Sequence, residues 1–261
     1  MKIMIRKGGF VRLVDSMGSD AAIVQAARVS YGDGTKTKSD DETLLRFMMR
    51  HGHTSPFEMC TIKIHERIPM DTWRQMVRHR TASVNEYSTR YSVAIDEVAD
   101  IAADEWREQS TTNRQGSGNS IDPAIGAELT DRQSKLTKLQ REEYEYQLSK
   151  GVAREQARCH LPLNTYTEVY WQINLHNLFH FLYKRLMPDA QLEIREYANA
   201  IASIAKHLYP LAYAAFEDYK LNAVTLSALE MECIREGWDR HPRMSNREVK
   251  EFQEKMSCLK K

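Results

Sequence analysis

The stretch Arg78–Arg90, RHRTASVNEYSTR, is the most informative part of this sequence. Its arginines, histidine, hydroxyls and amide make a dense array of hydrogen-bond donors. A guanidinium matches the geometry of phosphate, and each charge-assisted hydrogen bond contributes roughly 1.5–3 kcal/mol. A nucleotide phosphate carries about −1.5 to −2 charges at neutral pH, so two or three arginines would balance it. On composition alone a hydrated polar turn is an equally good interpretation, because basic runs are usually solvated.

The residues before this stretch predict two helices and a strand. Ser39 and Glu42 have the spacing of a capping box, which predicts a helix through Leu44–Arg50. Residues 60–64 alternate apolar and polar side chains, as a half-buried strand does. Pro69 suits the first turn of a second helix, which leads into the arginine-rich stretch.

The residues after the stretch predict mainly helices. Residues 109–120, QSTTNRQGSGNS, are polar and rich in Gly and Ser, so we expect a loop there. The tail from Met244 is predicted to be a charged surface helix or a frayed end. Strands cluster early and helices late, which predicts the α+β class: an early antiparallel sheet, helices packed on it and a helix-rich C-terminal half. The later helices are predicted at Thr130–Lys150, Val152–His160, Tyr166–Met187 and Ala190–Leu208.

Bulk properties argue against several classes of protein. The 261 residues carry 37 basic and 36 acidic side chains, a net charge of +1, so no global field attracts nucleic acid or acidic membranes. The N-terminal residues lack the apolar core of a signal peptide, and no segment is long enough to span a bilayer. The four cysteines contain no CxxC pair, which favours reduced thiols and a cytoplasmic location. We expect neither nucleic acid nor a membrane as a partner.

The order Arg78-His79-Arg80, seven further residues and Ser88 resembles the signature of the flavin-dependent thymidylate synthases. The longer form of that signature, which adds Ser83, Asn85 and Arg90, is complete here. Chance agreement at all these fixed positions is negligible. The resemblance extends to Ala26–Tyr31, His51–Phe57, Ala157–Asn164, Asn174–Arg185 and Ala190–Gln191.

The resemblance implies a reaction, the reductive methylation of deoxyuridine monophosphate (dUMP) to deoxythymidine monophosphate (dTMP). 5,10-Methylenetetrahydrofolate would supply the carbon, and NADPH would supply hydride through FAD. The implied catalytic domain covers residues 1–220, with the polar loop at about 109–125, and a helical extension or tail covers residues 221–261. The implied assembly is a homotetramer whose active sites are shared between subunits.

The resemblance also implies roles for individual residues. His53, beside the flavin and folate region, Ser88 and Arg185 are the expected catalytic residues. Some family members carry arginine in place of His176 and asparagine in place of His180. The expected FAD contacts are Ser55, Arg78, His79, Arg80, Glu86, Asn174, Leu175, His176 and His180. The expected nucleotide contacts are Gln75, Met76, Val77, Arg78, Glu86, Tyr87, Ser88, Thr89, Arg90, Arg158 and Arg185.

Arg185 and Ser88 each have two interpretations. A guanidinium against the N3–O4 edge of uracil would stabilise the negative charge that develops when C5 becomes nucleophilic, whereas an ordinary arginine near a helix C-terminus would be favoured by the helix dipole. Ser88 is interpreted as a hydrogen-bond partner of the substrate. A nucleophile is the weaker alternative, since the sequence reveals no Ser–His–Asp arrangement.

The predicted helix Tyr166–Met187 gives a separate reason to expect an oligomer. At 100° per residue, His176 and His180 lie nearly opposite Arg185 around a helix about 10–12 Å wide. The resemblance assigns FAD to the histidine face and the nucleotide to Arg185. We therefore expect one helix to serve two active sites in a symmetric oligomer.

Two other functions fit parts of the sequence. His176 and His180 are four residues apart, a spacing that suits one metal ion, and His160, Glu168 or Glu193 would complete a metallohydrolase site. The residues between them lack the glutamate of an HExxH motif, so we expect no metal. The arginines would also suit an RNA-binding module, although the near-zero net charge and the missing aromatic RNA-binding motif oppose it.

Overall fold

Five strands form one antiparallel sheet in the computed structural model, which describes residues 1–29, 40–111 and 116–259. The described residues contain seven strands in all, five in this sheet and two in a separate ribbon. They are β1 Lys2–Met4, β2 Phe10–Met17, β3 Thr61–Pro69, β4 Ser83–Glu86, β5 Arg107–Gln109, β6 Ser117–Ser120 and β7 Tyr166–Asn174. The strand order is β1-β2-β3-β7-β4, so a strand from the second half of the chain lies between two strands from the first half. β5 and β6 form a separate two-stranded ribbon.

The chain divides into two units, Met1–Phe216 and Glu217–Lys261. The helices of the first unit are α1 Asp20–Arg28, α2 Asp41–His51, α3 Ser55–Glu58, α4 Met70–Met76, α5 Pro123–Ser149, α6 Arg154–Ala157, α7 Leu175–Arg185, α8 Leu192–Leu208 and α9 Pro210–Phe216. The second unit contains a π-helical turn at Glu217–Leu221, α10 Ala228–Glu236 and α11 Asn246–Leu259. Among the described residues, no helix has the length and apolar character needed to cross a membrane.

The core of the first unit lies on one face of the sheet. Alternate residues of β3, such as Ile62 and Ile64, are fully buried, and Trp171 is buried on the neighbouring β7. Helix α8 packs against the sheet and contributes the buried Ile194 and Ile201. Because side chains alternate between the faces of a strand, this one-sided burial produces the apolar alternation at residues 60–64. The predicted strand and the α+β class are confirmed.

The expectation of a single helix at 166–187 is wrong. Tyr166–Asn174 form β7, and Leu175–Arg185 form α7. β7 alternates buried and less buried residues and is rich in aromatic and β-branched side chains, which favour strands. Its last residue, Asn174, caps the helix: its Oδ1 accepts a hydrogen bond from the backbone N–H of Asn177 at 2.9 Å.

Smaller differences concern the ends of segments. The loop expected at 109–120 contains β6 and the end of β5, and residues 112–115 within it lie outside the described residues. The predicted capping residue Ser39 also lies outside them. The described N-cap of α2 is Asp40, whose carboxylate accepts from the N–H of Thr43 at 3.4 Å. The other predicted helices are present, although α5 begins well before Thr130, and the helix expected at Val152–His160 is a short helix followed by a 3-10 turn.

Glu66 is an exception on the buried face of β3. Its side chain is 0% exposed, and neither carboxylate oxygen has a hydrogen-bond partner among the described residues. Burial raises the pKa of Glu66 to about 8. The carboxyl group is therefore mainly protonated at neutral pH, because the interior penalises its charged form.

We expect Glu66→Gln to stabilise the protein increasingly as the pH rises. The pKa of Glu66 is about 8 in the folded protein, against an ordinary value of 4.5. Between these pH values the folded protein keeps the proton of Glu66 while the unfolded chain loses it, so the free energy of unfolding of the wild-type protein falls as the pH rises. The loss is about 1.4 kcal/mol per pH unit. Urea unfolding of the wild-type protein and of Glu66→Gln at pH 5 and pH 8 measures this loss. If the difference between their free energies of unfolding is the same at both pH values, the prediction is wrong.

Candidate functional site

The signature residues Arg78–Arg90 start just after α4, include strand β4 at an edge of the sheet, and end four residues beyond it. β4 pairs with β7 in the register Ser83↔Gln172 to Glu86↔Val169. All of the residues of β4 are exposed, and β4 is the last strand of the sheet order. The signature is therefore accessible to a ligand from the open edge.

The carboxylate of Glu86 fastens this edge strand to the core. Its Oε2 accepts a hydrogen bond from Trp73 Nε1 at 3.0 Å, and its Oε1 accepts one from Thr167 Oγ1 at 3.0 Å. Trp73 on α4 and Thr167 on β7 are both buried. Glu86 thus ties the end of β4 to two neighbouring elements through both of its oxygens.

His79 and Arg185 come together although they are 106 residues apart in the sequence. Arg185 Nε donates to His79 Nε2 at 3.2 Å, and Arg185 Nη2 donates to the backbone oxygen of Gln75 at 3.2 Å. Burial, with Arg185 and His180 close by, lowers the pKa of His79 to about 4. His79 is therefore neutral at physiological pH, and an acceptor at Nε2 places its proton on Nδ1. Burial also lowers the pKa of Arg185, but a guanidinium stays charged in a protein.

Helix α7 brings His180 to the same place. The ring centroids of His79 and His180 are 5.9 Å apart, and Phe181 packs edge-on against His79 at 5.0 Å. His180 and Arg185 therefore share His79 as a neighbour within one subunit. This corrects the expectation that His180 points away from Arg185, so the helical-wheel argument for a shared helix rests on His176 alone.

A second polar group lies where the signature ends. Arg158 Nη1 donates to Thr89 Oγ1 at 3.1 Å, and Arg90 forms an exposed ion pair with Glu155 at 3.2 Å. Ser88 Oγ accepts from the N–H of Arg90 at 3.3 Å. Within the described ranges, no histidine or carboxylate hydrogen-bonds to the hydroxyl of Ser88, so this geometry gives the serine no general base.

Arg78 and Arg80 are exposed, and neither guanidinium has an ion pair or hydrogen bond within residues 1–29, 40–111 and 116–259. Both remain available to an anion. Gln75, one helical turn earlier, is hydrogen-bonded through its side chain to that of Gln191.

His53 and Ser55 line a separate cavity of about 750 Å³. Its walls come from α1, α2 and α3 and include the apolar side chains of Phe47, Met48 and Met59. The rings of His53 and Phe47 stack with their centroids 5.7 Å apart. The described lining of this cavity contains neither Arg185 nor the signature arginines.

Several expected contact residues do not offer a side chain to a ligand. Met76 and Leu175 are 0% exposed and form part of the core. Asn174 is occupied as the cap of α7, and the hydroxyl of Tyr87 donates to the oxygen of Val93 at 2.7 Å. Val77, in contrast, is 40% exposed. Any contact made by Met76 or Leu175 would have to use the backbone.

The carboxylates of the alternative metal site are engaged elsewhere. Glu168 accepts from His65 at 2.9 Å, and Glu193 accepts from Arg107 at 2.8 Å. In the part of the chain that the structure describes, no group of three His, Cys, Asp or Glu side chains is placed to hold a metal ion.

Sequence reasoning missed the residues that hold the signature in place. Trp73 and Thr167 anchor Glu86, and Gln191 contacts Gln75. No sequence pattern indicated that Thr167 contacts Glu86, because Thr167 falls in a segment predicted to be helical. Gln191 had one, since the Ala190–Gln191 pair belongs to the family resemblance.

Comparison with known proteins gives consistent matches. The family model described as thymidylate synthase complementing protein matches residues 12–211. A flavin-dependent thymidylate synthase of Wolbachia pipientis wMel is 48% identical over 97% of this chain and 90% of its own length. One of Thermus thermophilus is 52% identical over 90% of this chain and 85% of its own. The crystal structure of a UMP/dUMP methylase from Streptomyces cacaoi, bound with 5-Br UMP, superposes with a TM-score of 0.75 at 31% identity, covering 83% of this chain and 96% of that one.

Proposed function

Because this chain belongs to the flavin-dependent thymidylate synthases, we propose that it methylates dUMP to dTMP. The observation that carries this function is the complete signature, set at an exposed sheet edge beside the paired side chains of His79 and Arg185. The carbon donor in this proposal is 5,10-methylenetetrahydrofolate, and NADPH is the reductant of the flavin. The chain is accordingly a flavoprotein and a methyltransferase of dTMP synthesis.

The residues present fit FAD. Arg78 and Arg80 offer two exposed guanidiniums to its phosphates, and the cavity beside His53 and Ser55 falls in the size range of cofactor sites. When bound and reduced by NADPH, FAD would supply the hydride that reduces the transferred carbon. We assign to FAD the groups predicted from the resemblance: Ser55, Arg78, His79, Arg80, Glu86, Asn174, Leu175, His176 and His180.

Arg185 is the proposed electrostatic catalyst. His79 and the Gln75 carbonyl use two of the five N–H donors of its guanidinium, which fixes the plane of the group and leaves the others for the pyrimidine. A cation held in this way stabilises negative charge at N3 and O4 as C5 becomes nucleophilic, and it needs no reorganisation during the step. Neutral His79 adds no competing positive charge.

The nucleotide is proposed to lie along the end of the signature. Arg90 and Arg158 are exposed cations beside Ser88 and Thr89, so the group provides charge for a phosphate and hydroxyls for hydrogen bonds. Ser88 is the proposed hydrogen-bond partner of the nucleotide. His53 is the proposed catalytic residue beside the flavin and folate region. Gln75, Met76, Val77, Glu86 and Tyr87 complete the proposed contacts.

We further propose a homotetramer with shared active sites, working in the cytoplasm, with residues 1–220 as the catalytic domain. The support for sharing is that the lining of the His53 cavity does not include Arg185, whose described hydrogen bonds are with His79 and the Gln75 carbonyl. A second subunit that brings its His53 to the Arg185 of the first would complete the site.

The test of this function is the purified protein with its substrates. We expect flavin absorption bands after addition of FAD, faster NADPH oxidation when dUMP is present, and dTMP formed with the carbon of labelled methylenetetrahydrofolate. A folded protein that binds no FAD in equilibrium dialysis would overturn the proposal. Bound zinc, or RNA binding without flavin, would favour the other two functions instead.

No cysteine is expected to act as a nucleophile. Cys60 and Cys233 are buried, and Cys159, which follows Arg158 in the sequence, is exposed. Even so, Cys159→Ala should keep kcat within about tenfold of the wild type, because this mechanism forms no cysteine adduct. Cys258→Ala, which removes the other exposed thiol, is the control. A folded Cys159→Ala protein that binds both ligands and forms no dTMP would refute the mechanism.

A further inference from the structure

One residue of α4 holds both ends of the turn between α7 and α8. Arg185 ends α7 and Gln191 directly precedes α8, so residues 186–190 alone lie between them. The backbone oxygen of Gln75 accepts a hydrogen bond from Arg185 Nη2 at 3.2 Å, and the side-chain Nε2 of Gln75 donates one to Gln191 Oε1. Gln75 therefore connects the guanidinium of Arg185 to the start of the next helix.

Gln191 occupies the N-cap position of α8 without capping the helix. Ser, Thr, Asp and Asn are preferred at this position because their side chains accept hydrogen bonds from the first turn. The side chain of Gln191 makes no such bond, and its oxygen instead accepts from Gln75 on α4. A helix start that gives up local capping for a contact with another element indicates a role outside the helix.

A carboxylate next to Gln191 orients its amide group. Glu193 accepts a hydrogen bond from Arg107 Nη2 at 2.8 Å, and Arg107 Nε donates to Ser117 Oγ in the two-stranded ribbon at 2.9 Å. Burial alone would raise the pKa of Glu193, but its interactions with Arg107 and with the side chain of Gln191 hold that pKa below its ordinary value. Glu193 is therefore charged at neutral pH. Because a carboxylate only accepts hydrogen bonds, the N–H end of the Gln191 amide is the end that faces it, which leaves the oxygen for Gln75.

We propose that Gln191 is a positioning residue for Arg185 and acts through Gln75. The Gln75 carbonyl belongs to the last turn of α4, where carbonyl groups have no partner within the helix and can accept from the guanidinium. Electrostatic catalysis depends on donors that are oriented before the reaction, so a less fixed Gln75 should lower the rate although Arg185 keeps its charge. Because Arg185 is the electrostatic catalyst of the proposed function, this role of Gln191 rests on that function.

The first variant is Gln191→Ala, measured by steady-state kinetics with dUMP. Its kcat should be about three- to tenfold lower, which is the range expected for one hydrogen bond at an exposed position. The KM for dUMP should change by less than about twofold, because stabilisation of a developing charge is lost mainly in the transition state. Gln191 is exposed, so the variant should fold, and urea unfolding with the FAD spectrum verifies this.

A second variant, Glu193→Gln, tests the orientation of the amide. It removes the negative charge that the amide of Gln191 faces, so it should also lower kcat. In combination with Gln191→Ala it should lower kcat by less than a further factor of about two, because the amide that Glu193 orients is then already absent.

The decisive measurement is a double-mutant cycle with Arg185→Ala. If Gln191 acts through Arg185, then Gln191→Ala should change the residual kcat of Arg185→Ala by less than about twofold. A residue that only supports the fold would lower kcat by the same factor in both backgrounds. The control is Gln147→Ala on α5, which removes a glutamine that donates to Glu143 at 2.7 Å and should leave kcat unchanged.

The outcomes separate this role from the proposed function. A wild-type protein that forms no dTMP would overturn the function, and the role of Gln191 with it. If the wild-type protein is active, three results overturn the role of Gln191 alone: a Gln191→Ala variant as fast as the wild type, equal losses of kcat in both backgrounds, or a rise in KM without a fall in kcat.

Discussion

Arg185→Ala is expected to lower kcat/KM for dTMP formation by about 10²–10³-fold, the usual effect of removing one preorganised donor to a developing negative charge. The large effect is expected because His79 and the Gln75 carbonyl already hold the guanidinium in place. The wild-type enzyme therefore needs no reorganisation of this group to reach the transition state. The measurement is steady-state kinetics with dUMP, beside the flavin spectrum of the variant. The spectrum should be unchanged, since Arg185 is assigned to the nucleotide.

Two further variants sharpen this prediction. Arg185→Lys keeps the charge but loses the planar fork, so it should recover only a part of the lost rate. Arg235→Ala, which also removes an arginine from the last turn of a helix, should leave kcat/KM unchanged. If Arg185→Ala retains activity within about threefold of the wild type, the residue is only a helix-terminal cation of the kind that the dipole favours.

The fold was predictable where the local pattern is unambiguous. Residues 60–64 alternate because β3 buries one face, and the helix predicted through Leu44–Arg50 is present as α2. The junction of β7 and α7 was not predictable, because Tyr166–Arg185 contains neither Gly nor Pro and the only mark is Asn174. Its capping hydrogen bond is a feature of the folded chain, and pairing with β3 decides that the residues before it form a strand.

For the candidate site, the spacing of Arg78–Arg90 predicts which residues take part, and that assignment stays a prediction. The geometry of these residues could not be predicted. The contact of His79 with Arg185 depends on how α7 returns to the end of α4, which no local pattern records. Burial then determines the charge state of His79, and burial is likewise a property of the whole fold.

Replacing both Arg78 and Arg80 with alanine should weaken FAD binding by about 10²–10⁴-fold. Each guanidinium is assigned one or more charge-assisted hydrogen bonds of roughly 1.5–3 kcal/mol, and about 1.4 kcal/mol corresponds to tenfold in the dissociation constant. Because both side chains are exposed and make no ion pair within the described ranges, their removal should not unfold the protein. Equilibrium dialysis with FAD measures the effect, and urea unfolding verifies the fold.

The double variant Arg78→Ala/Arg80→Ala also distinguishes specific hydrogen bonds to FAD from long-range attraction between the anion and the net positive charge of the protein. Exposed charges act through a screened field, so Arg235→Ala/Arg247→Ala, which removes the same charge from α10 and α11, should change FAD affinity by less than about threefold in 0.15 M salt. Arg78→Lys/Arg80→Lys keeps the charge and loses the fork, so it should bind FAD more weakly than the wild type. Equal losses from the signature pair and the control pair would show that net charge, and not these two guanidiniums, draws the cofactor to the chain.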